Sequence, residues 1–367
     1  MSRRAASPGG AADREDAPVE PTSPAAHALR WPEETAAFAR GFDRGALRVV
    51  TWNLQLLPGT FAGQGGCPAS LERRAKRIVD NVLALARATR VDVVAFQEVW
   101  HEGAARALRA GLRALFPHQH RPAAYCGLLT VTRAGLPHAH ARFAPFRNTA
   151  GVEGWWFTKG VAAVVVETPP NMEATRENPY ENAEPFAVLN AHAQSDFWAS
   201  GAATRASQMT QTREMLNEMA RERYSRLDSR LDSACDMTTL LVGDLNVAAG
   251  SEEYRAAMRA LGDPTDILAA DALTGTDAFT FPIGAYVSTT FEAFPLCLMG
   301  SESFGAYVPR TPTKRLDHAL RFRKRGDERR AGEKKAASAA IVLAGLARGE
   351  DGAPLSDHAP IFAVVRR

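Results

Sequence analysis

Asp244 and Asn246 stand one residue apart at the end of the apolar run Thr239, Leu240, Leu241 and Val242, with Gly243 before the aspartate. Such a run reads as a strand covered on both faces. The glycine lets the backbone come close to a neighbour. Residues i and i+2 of an extended chain point the same way, so Asp244 and Asn246 are expected to share a face. That puts a carboxylate able to hold a proton or a metal beside a carboxamide able to donate a hydrogen bond without taking a charge. Alone, Gly-Asp after an apolar strand is also ordinary turn chemistry. Further apolar runs, however, end in groups of the same kind: Asn53, Glu98, His192, Asp317, and Asp357 with His358. Each has a structural reading by itself, as a turn residue, a helix cap or a satisfied polar side chain. Gathered at the ends of strands, they read as one site.

These residue types suit attack of water on a phosphodiester beside a hard divalent cation. Mg²⁺ prefers oxygen ligands and is commonly held by one or two carboxylates, which fits Glu98 with Asn53. A histidine with an orienting carboxylate takes a proton from water near neutral pH, which fits His358 with Asp317. The equatorial oxygens of five-coordinate phosphorus need donors, for which His192 and Asn246 are candidates beside the metal. No G-x-S-x-G and no glycine-rich phosphate loop competes with this reading.

The chain that must position these groups has 367 residues, 46% of them hydrophobic, enough for a sizeable core. Lys and Arg total 44 against 41 acidic residues, a net charge of +3, so nothing global demands a polyanionic partner. Cys67, Cys126, Cys235 and Cys297 lack metal-finger spacing and form two disulfides or none. No apolar stretch is long enough for a membrane span. Arg3 and Arg4 are followed by no apolar core, which argues against an ordinary secretory signal and leaves a soluble protein, cytoplasmic or exported by another route. Residues 1–40, rich in Ala, Pro, Gly and charge, are predicted to be a disordered leader ahead of one domain over 41–367. Strands are expected at 47–52, 91–96, 128–132, 161–167, 186–189, 239–242, 316–322 and 361–365. Helices are expected from Ser70, over 104–116 and 204–227, and from a Ser251 cap through 261. The run 321–335 reads as a solvated loop, and 169–185 as a loop joining two antiparallel strands.

T-W-N-L at 51–54, Q-E-V-W at 97–100, G-D-L-N at 243–246, R-L-D-H at 315–318 and S-D-H-A-P at 356–360 resemble, in that order, the motif set of the endonuclease/exonuclease/phosphatase superfamily. The resemblance runs from about 47 to 365. It implies a DNase I-like α/β fold, a four-layer αββα sandwich of two mainly antiparallel sheets packed face to face with helices outside. C-G-L-L-T-V-T-R at 126–133, F-T-K-G at 157–160, A-H-A-Q at 191–194 and S-E-E-Y-R-A-A-M-R-A-L at 251–261 are most similar to the neutral and bacterial sphingomyelinases. Carried over, Asn53 and Glu98 hold Mg²⁺ (Mn²⁺ or Co²⁺ as substitutes), and His192 and Asn246 bind the phosphate. Asp244 assists proton transfer to the leaving oxygen, and Asp317 orients the general base His358. Asp357 partners the metal or its water, and Lys159 is a further phosphate-binding cation unless it is a surface lysine. The L-D-Y pattern of the family reads L-D-H here, so the role of His318 is open, and the loop over 277–312 has a variable counterpart.

The implied substrate is a phospholipid at a membrane surface, met by a monomer. Trp155, Trp156 and Phe157, or Phe291, Phe294, Leu296 and Leu298, could meet that surface, and they could equally fill the core. The alternatives are a DNase I-like or AP-type endonuclease acting on nucleic acid, and a catalytically inactive binding member of the fold. A nuclease would be expected to line its rim with Lys and Arg.

Overall fold

The computed structural model of the chain describes residues 28–29, 33–40, 46–57, 68–123, 125–151, 153–166, 185–195, 200–226, 237–267, 287–288, 306–307, 317–322, 337–342, 355–356, 358 and 360–365. In chain order the elements are β1 (Ala28–Leu29), α1 (Glu33–Arg40), β2 (Leu47–Leu56), α2 (Pro68–Thr89), β3 (Val93–Val99), α3 (Glu102–Leu112), β4 (His118–His120), β5 (Leu129–Thr132), β6 (His138–Pro145), α4 (Glu153–Trp156) and β7 (Gly160–Val166). There follow β8 (Phe186–His192), α5 (Gly201–Arg226), β9 (Thr238–Asp244), α6 (Glu252–Leu261), β10 (Thr265–Asp266), β11 (Val287–Ser288), β12 (Ala306–Tyr307), β13 (Asp317–Phe322), β14 (Ala337–Val342) and β15 (Ile361–Val365).

Two sheets carry the molecule, ordered β1-β14-β15-β2-β3-β5-β4 and β10-β13-β9-β8-β7-β6, while β11 pairs with β12 apart from them. Most pairs are antiparallel, β7–β8 among them as expected. The central pairs β2–β3 and β8–β9 are parallel. A parallel pair needs a long crossover, which α2 and α5 provide.

Alternation along the strands divides the core into layers. In β2, Trp52 and Leu54 pack with Ile78, Val82 and Leu108 of α2 and α3, whereas Leu47 and Val49 pack with Val188, Leu240 and Val242 of the facing sheet. On the outer side of the second sheet, Leu189, Leu241 and Leu320 pack with Met209, Met258 and Leu261 of α5 and α6. The result is helices, sheet, sheet, helices, as the resemblance implied. The inner layer also contains polar groups: Gln97 Nε2 donates to Asn190 Oδ1 at 2.7 Å and to Thr51 Oγ1 at 3.0 Å. Asn190 Nδ2 in turn donates to Phe96 O at 3.0 Å and Thr130 Oγ1 at 3.2 Å. These bonds join β3 and β5 of one sheet to β8 of the other.

Order begins before residue 40, contrary to the predicted leader. Thr35, Ala36 and Ala39 of α1 are buried, the Arg48 guanidinium donates to Ala39 O, and β1 pairs with β14. An alanine-rich helix needs little apolar area to dock, and composition alone did not show that. Residues 1–27 lie outside the described residues, as do 323–336, Cys67, Cys235 and Cys297. Cys126 is a free, buried thiol, which excludes the two-disulfide arrangement.

Candidate active site

Three of the expected residues lie in one row. His192 of β8 is in register with Asp244 of β9, and Asp244 with Asp317 of β13. Laterally paired residues project to the same face, here the face toward the other sheet. From that sheet come Asn53 at the C-terminal part of β2 and Glu98 at the end of β3. Strict alternation would send Glu98 outward with Val94 and Phe96, but its φ of 55° breaks the alternation. Its carboxylate instead accepts from Asn53 Nδ2 at 3.0 Å, and the same nitrogen donates to Asp244 Oδ2 at 2.9 Å. Asn53 Oδ1 accepts from the backbone of Gln55, itself left-handed at φ 47°.

Asp244 and Asn246 do not share one face of a strand, as the i, i+2 rule suggested. β9 ends at Asp244, whose Oδ1 accepts from the Asn246 backbone N–H at 2.8 Å, and Asn246 adopts φ 53°. The aspartate thus closes a turn with one oxygen and faces the site with the other. Asn246 Nδ2 donates to Ala193 O at 3.2 Å, the carbonyl that also accepts from Lys159 Nζ at 2.9 Å. Lys159 is buried, not a surface lysine, and pairs with Glu153 at 3.2 Å. Glu153 of α4 also accepts from the Gln194 amide and from the Ser195 N–H, which ties α4 to the loop after His192. Glu153 carried no sequence signal, because α4 and the end of β8 are remote in the chain.

His358 is held on three sides. Its Nδ1 lies 2.7 Å from Asp317 Oδ2, its carbonyl accepts from the Trp52 indole at 2.8 Å, and its N–H donates to Ser356 Oγ at 3.1 Å. Ser356 in turn donates to Asn53 O at 2.6 Å, so the two motifs lock together through backbone. The remaining nitrogen, Nε2, faces Asp244 Oδ2 at 3.8 Å. Asp357 lies outside the described residues. His318, neighbour of Asp317, points to the other side of β13: it bonds Val247 O at 2.8 Å and stacks on Tyr254, so its part is structural.

The electrostatics follow from burial. His192 is buried with no hydrogen-bond partner on either ring nitrogen, 3.6 Å from Glu98 and 3.9 Å from Asp244. Desolvation, then the charges of Lys159 and His358, push its pKa well below the ordinary imidazole value. Desolvation, then the Asp317 charge, raises the Asp244 pKa from 3.8 to about 6. A buried imidazole without a partner between two carboxylates is costly unless a cation or a substrate completes it. The ligand atoms of Glu98, His192 and Asp244 lie within 4.8 Å of one another, as do those of Asp244, Asp317 and His358, so the donor set fits a divalent metal ion.

A raised carboxylate pKa has a consequence for stability. The native state holds the Asp244 proton more tightly than the unfolded chain does, so its contribution is full below pH 4 and is lost as pH rises through 6. In chelator-treated protein, Asp244→Asn is expected to gain stability relative to the parent between pH 4 and pH 8, by about 3 kcal/mol at most. Thermal melts of the two proteins at both pH values check this, and a difference that does not change with pH would contradict the assignment.

The comparisons with known proteins agree with this geometry. No curated protein sequence matches the chain. Sphingomyelinase C from Streptomyces griseocarneus superposes with a TM-score of 0.57 at 21% identity, over 88% of this chain and 99% of its own. A mutant beta toxin from Staphylococcus aureus with bound magnesium ions gives 0.58 at 16%, over 88% and 100%. Truncated TDP2 from Caenorhabditis elegans gives 0.55 at 15%, over 88% and 98%. The sequence signature of the Endonuclease/Exonuclease/phosphatase family matches residues 50–358. The chain therefore belongs to that family and is a metal-dependent phosphodiesterase of DNase I-like fold.

Proposed function

We propose that the substrate is a choline phospholipid of the sphingomyelin type, cleaved to ceramide and phosphocholine with Mg²⁺ as the natural ion. The observation that carries this reading is the rim of the site. Among the described residues the exposed large hydrophobic side chains are Tyr125, Trp155 and Trp156, at 71%, 86% and 60%. Both tryptophans belong to α4, which Glu153 ties to Lys159 and to the Gln194 loop. Phe157 turns inward, its ring centroid 4.4 Å from Trp100, and Trp100 lies 6.1 Å from His192. The aromatic run is thus divided: one ring backs the site and two face solvent, where an interfacial tryptophan prefers the lipid headgroup boundary. Phe291, Phe294, Leu296 and Leu298 lie outside the described residues. The sphingomyelinase and the magnesium-bound toxin among the structural neighbours support the reading.

In this reading Glu98 would hold the ion, with Asn53 beside it as the second residue of the metal site. Bound Mg²⁺ supplies positive charge to the phosphoryl oxygens. His358 takes the proton from water at Nε2, and Asp317, on Nδ1, keeps that nitrogen unprotonated beforehand and stabilises the imidazolium. His192 and Asn246 donate to the phosphate oxygens, with the Lys159 charge behind them. Asp244, with its raised pKa, returns a proton to the leaving oxygen.

Purified protein in Mg²⁺ is expected to release phosphocholine from sphingomyelin vesicles and to leave plasmid and abasic DNA intact. Nicking without release would reverse the reading in favour of a nuclease. Trp155→Ala combined with Trp156→Ala should lower the vesicle rate about tenfold or more, from lost interfacial burial, with turnover of a soluble short-chain substrate unchanged. Equal loss on both substrates would refute the membrane role of α4.

A further inference from the structure

A second group of possible ligands lies away from the catalytic cleft. β4 ends one sheet and β6 ends the other. β3 packs across from β8, so these two end strands lie on the same side of the sandwich. His118 and His120 are paired with Thr132 and Thr130 of β5, and the Thr130 hydroxyl accepts from Asn190 of the opposite sheet. Paired residues share a face, so both imidazoles point into the gap between the sheets. His138 on β6 is paired with Val166, which belongs to the inter-sheet core. Three imidazoles from two sheets therefore converge on one lateral edge, with the His118 and His138 ring centroids 6.1 Å apart.

Their hydrogen bonding is incomplete in a specific way. Burial lowers the His120 pKa, and the neighbouring backbone of Arg142 on β6 offsets part of that. Nε2 of His120 and Nε2 of His138 are buried without a hydrogen-bond partner. A buried imidazole nitrogen that has no hydrogen-bond partner carries the lone pair, or the exchangeable proton, that a metal ion would replace. Burial and the two neighbouring rings also bring the His138 pKa down to about 4, so the ring is neutral, the form that ligates. Packed rings alone would leave two desolvated nitrogens with nothing in return.

We propose that His118, His120 and His138 form a binding site for a borderline transition-metal dication, zinc being the type, which clips the edge of one sheet to the edge of the other. An all-imidazole donor set selects such ions and rejects Mg²⁺, which prefers oxygen. Two imidazoles on one tetrahedral ion place their centroids about 5 Å apart, against 6.1 Å for His118 and His138, and the nitrogens of the three rings do not all lie within 4.8 Å of one another, so the rings must turn to close on the ion. Water completes the coordination. The site is independent of the phosphodiesterase reaction.

The test uses the full chain, stripped with chelator and titrated with Zn²⁺ in excess Mg²⁺, with Co²⁺ absorption as a second readout. One equivalent is expected to bind, to persist in Glu98→Gln, and to bind at least tenfold more weakly in His120→Ala and in His138→Asn. Absence of uptake, loss in Glu98→Gln, or unchanged affinity in both histidine variants overturns the proposal. If those variants do not fold, the parent protein still decides: Zn²⁺ should protect His120 and His138 from diethyl pyrocarbonate, read by peptide mass spectrometry, and equal modification with and without Zn²⁺ refutes the site.

Discussion

Alanine in place of His358 is expected to lower turnover about 10²–10⁴-fold, with the melting temperature of the protein little changed. The imidazole is the one group whose second nitrogen points into the site while its first is held by Asp317 at 2.7 Å. The backbone bonds to Trp52 and Ser356 do not depend on the ring, so the loop should keep its place in the variant. Asp317→Asn should be nearly as damaging for a different reason. An asparagine can turn its NH₂ toward Nδ1, which forces the proton onto Nε2 and removes the base while keeping the packing. Because the two act as a unit, the double variant should be little worse than either single one. Steady-state rates on a chromogenic phosphodiester measure all three, and a parental rate in His358→Ala would remove the histidine from the mechanism.

Gly243→Ala should cost more than about 4 kcal/mol, a large part of the stability of an ordinary domain. A Cβ at Gly243 would lie 2.1 Å from Ala191 O and 3.1 Å from Ala191 N and C, all backbone of the paired strand. None of these can move without breaking the β8–β9 ladder, and φ of 131° is itself unfavourable for a side chain. Gly250→Ala serves as the control. It also has a positive φ, 79°, but an added Cβ meets nothing within 4 Å, so only the left-handed cost of about 1–2 kcal/mol applies. Urea denaturation of both variants gives the comparison, and equal losses would show that the contact with β8 is not what demands glycine.

The strands that carry the site were legible because they are buried on both faces and end abruptly in polar residues. β8 and β9 were placed within a few residues of their observed bounds. Less regular strands were not recognised. β6 is an edge strand of the sequence H-A-H-A-R-F-A-P with little β-branched character, β4 has only three residues, and β14 is rich in alanine. The residue types of the site were readable, but the aim of Glu98 was not, since it depends on a left-handed backbone at a strand end. Nor could composition decide whether Trp155 and Trp156 fill the core, because exposure depends on which face of the short helix α4 meets the body.

The bond between Gln97 and Asn190 bears on how the two halves of the cleft stay aligned. One sheet brings Glu98 and Asn53, and the other brings the row from His192 to Asp317. Apolar faces packed on each other resist separation far more than they resist sliding, since burial has no direction. Gln97 precedes Glu98 by one position, and Asn190 precedes His192 by two, so this 2.7 Å bond acts as a dowel just beneath the reacting groups. A leucine pair at these positions would keep the sandwich closed and let it shear, and the tolerance lost there would appear as a blunted catalyst in a protein that still melts at the usual temperature.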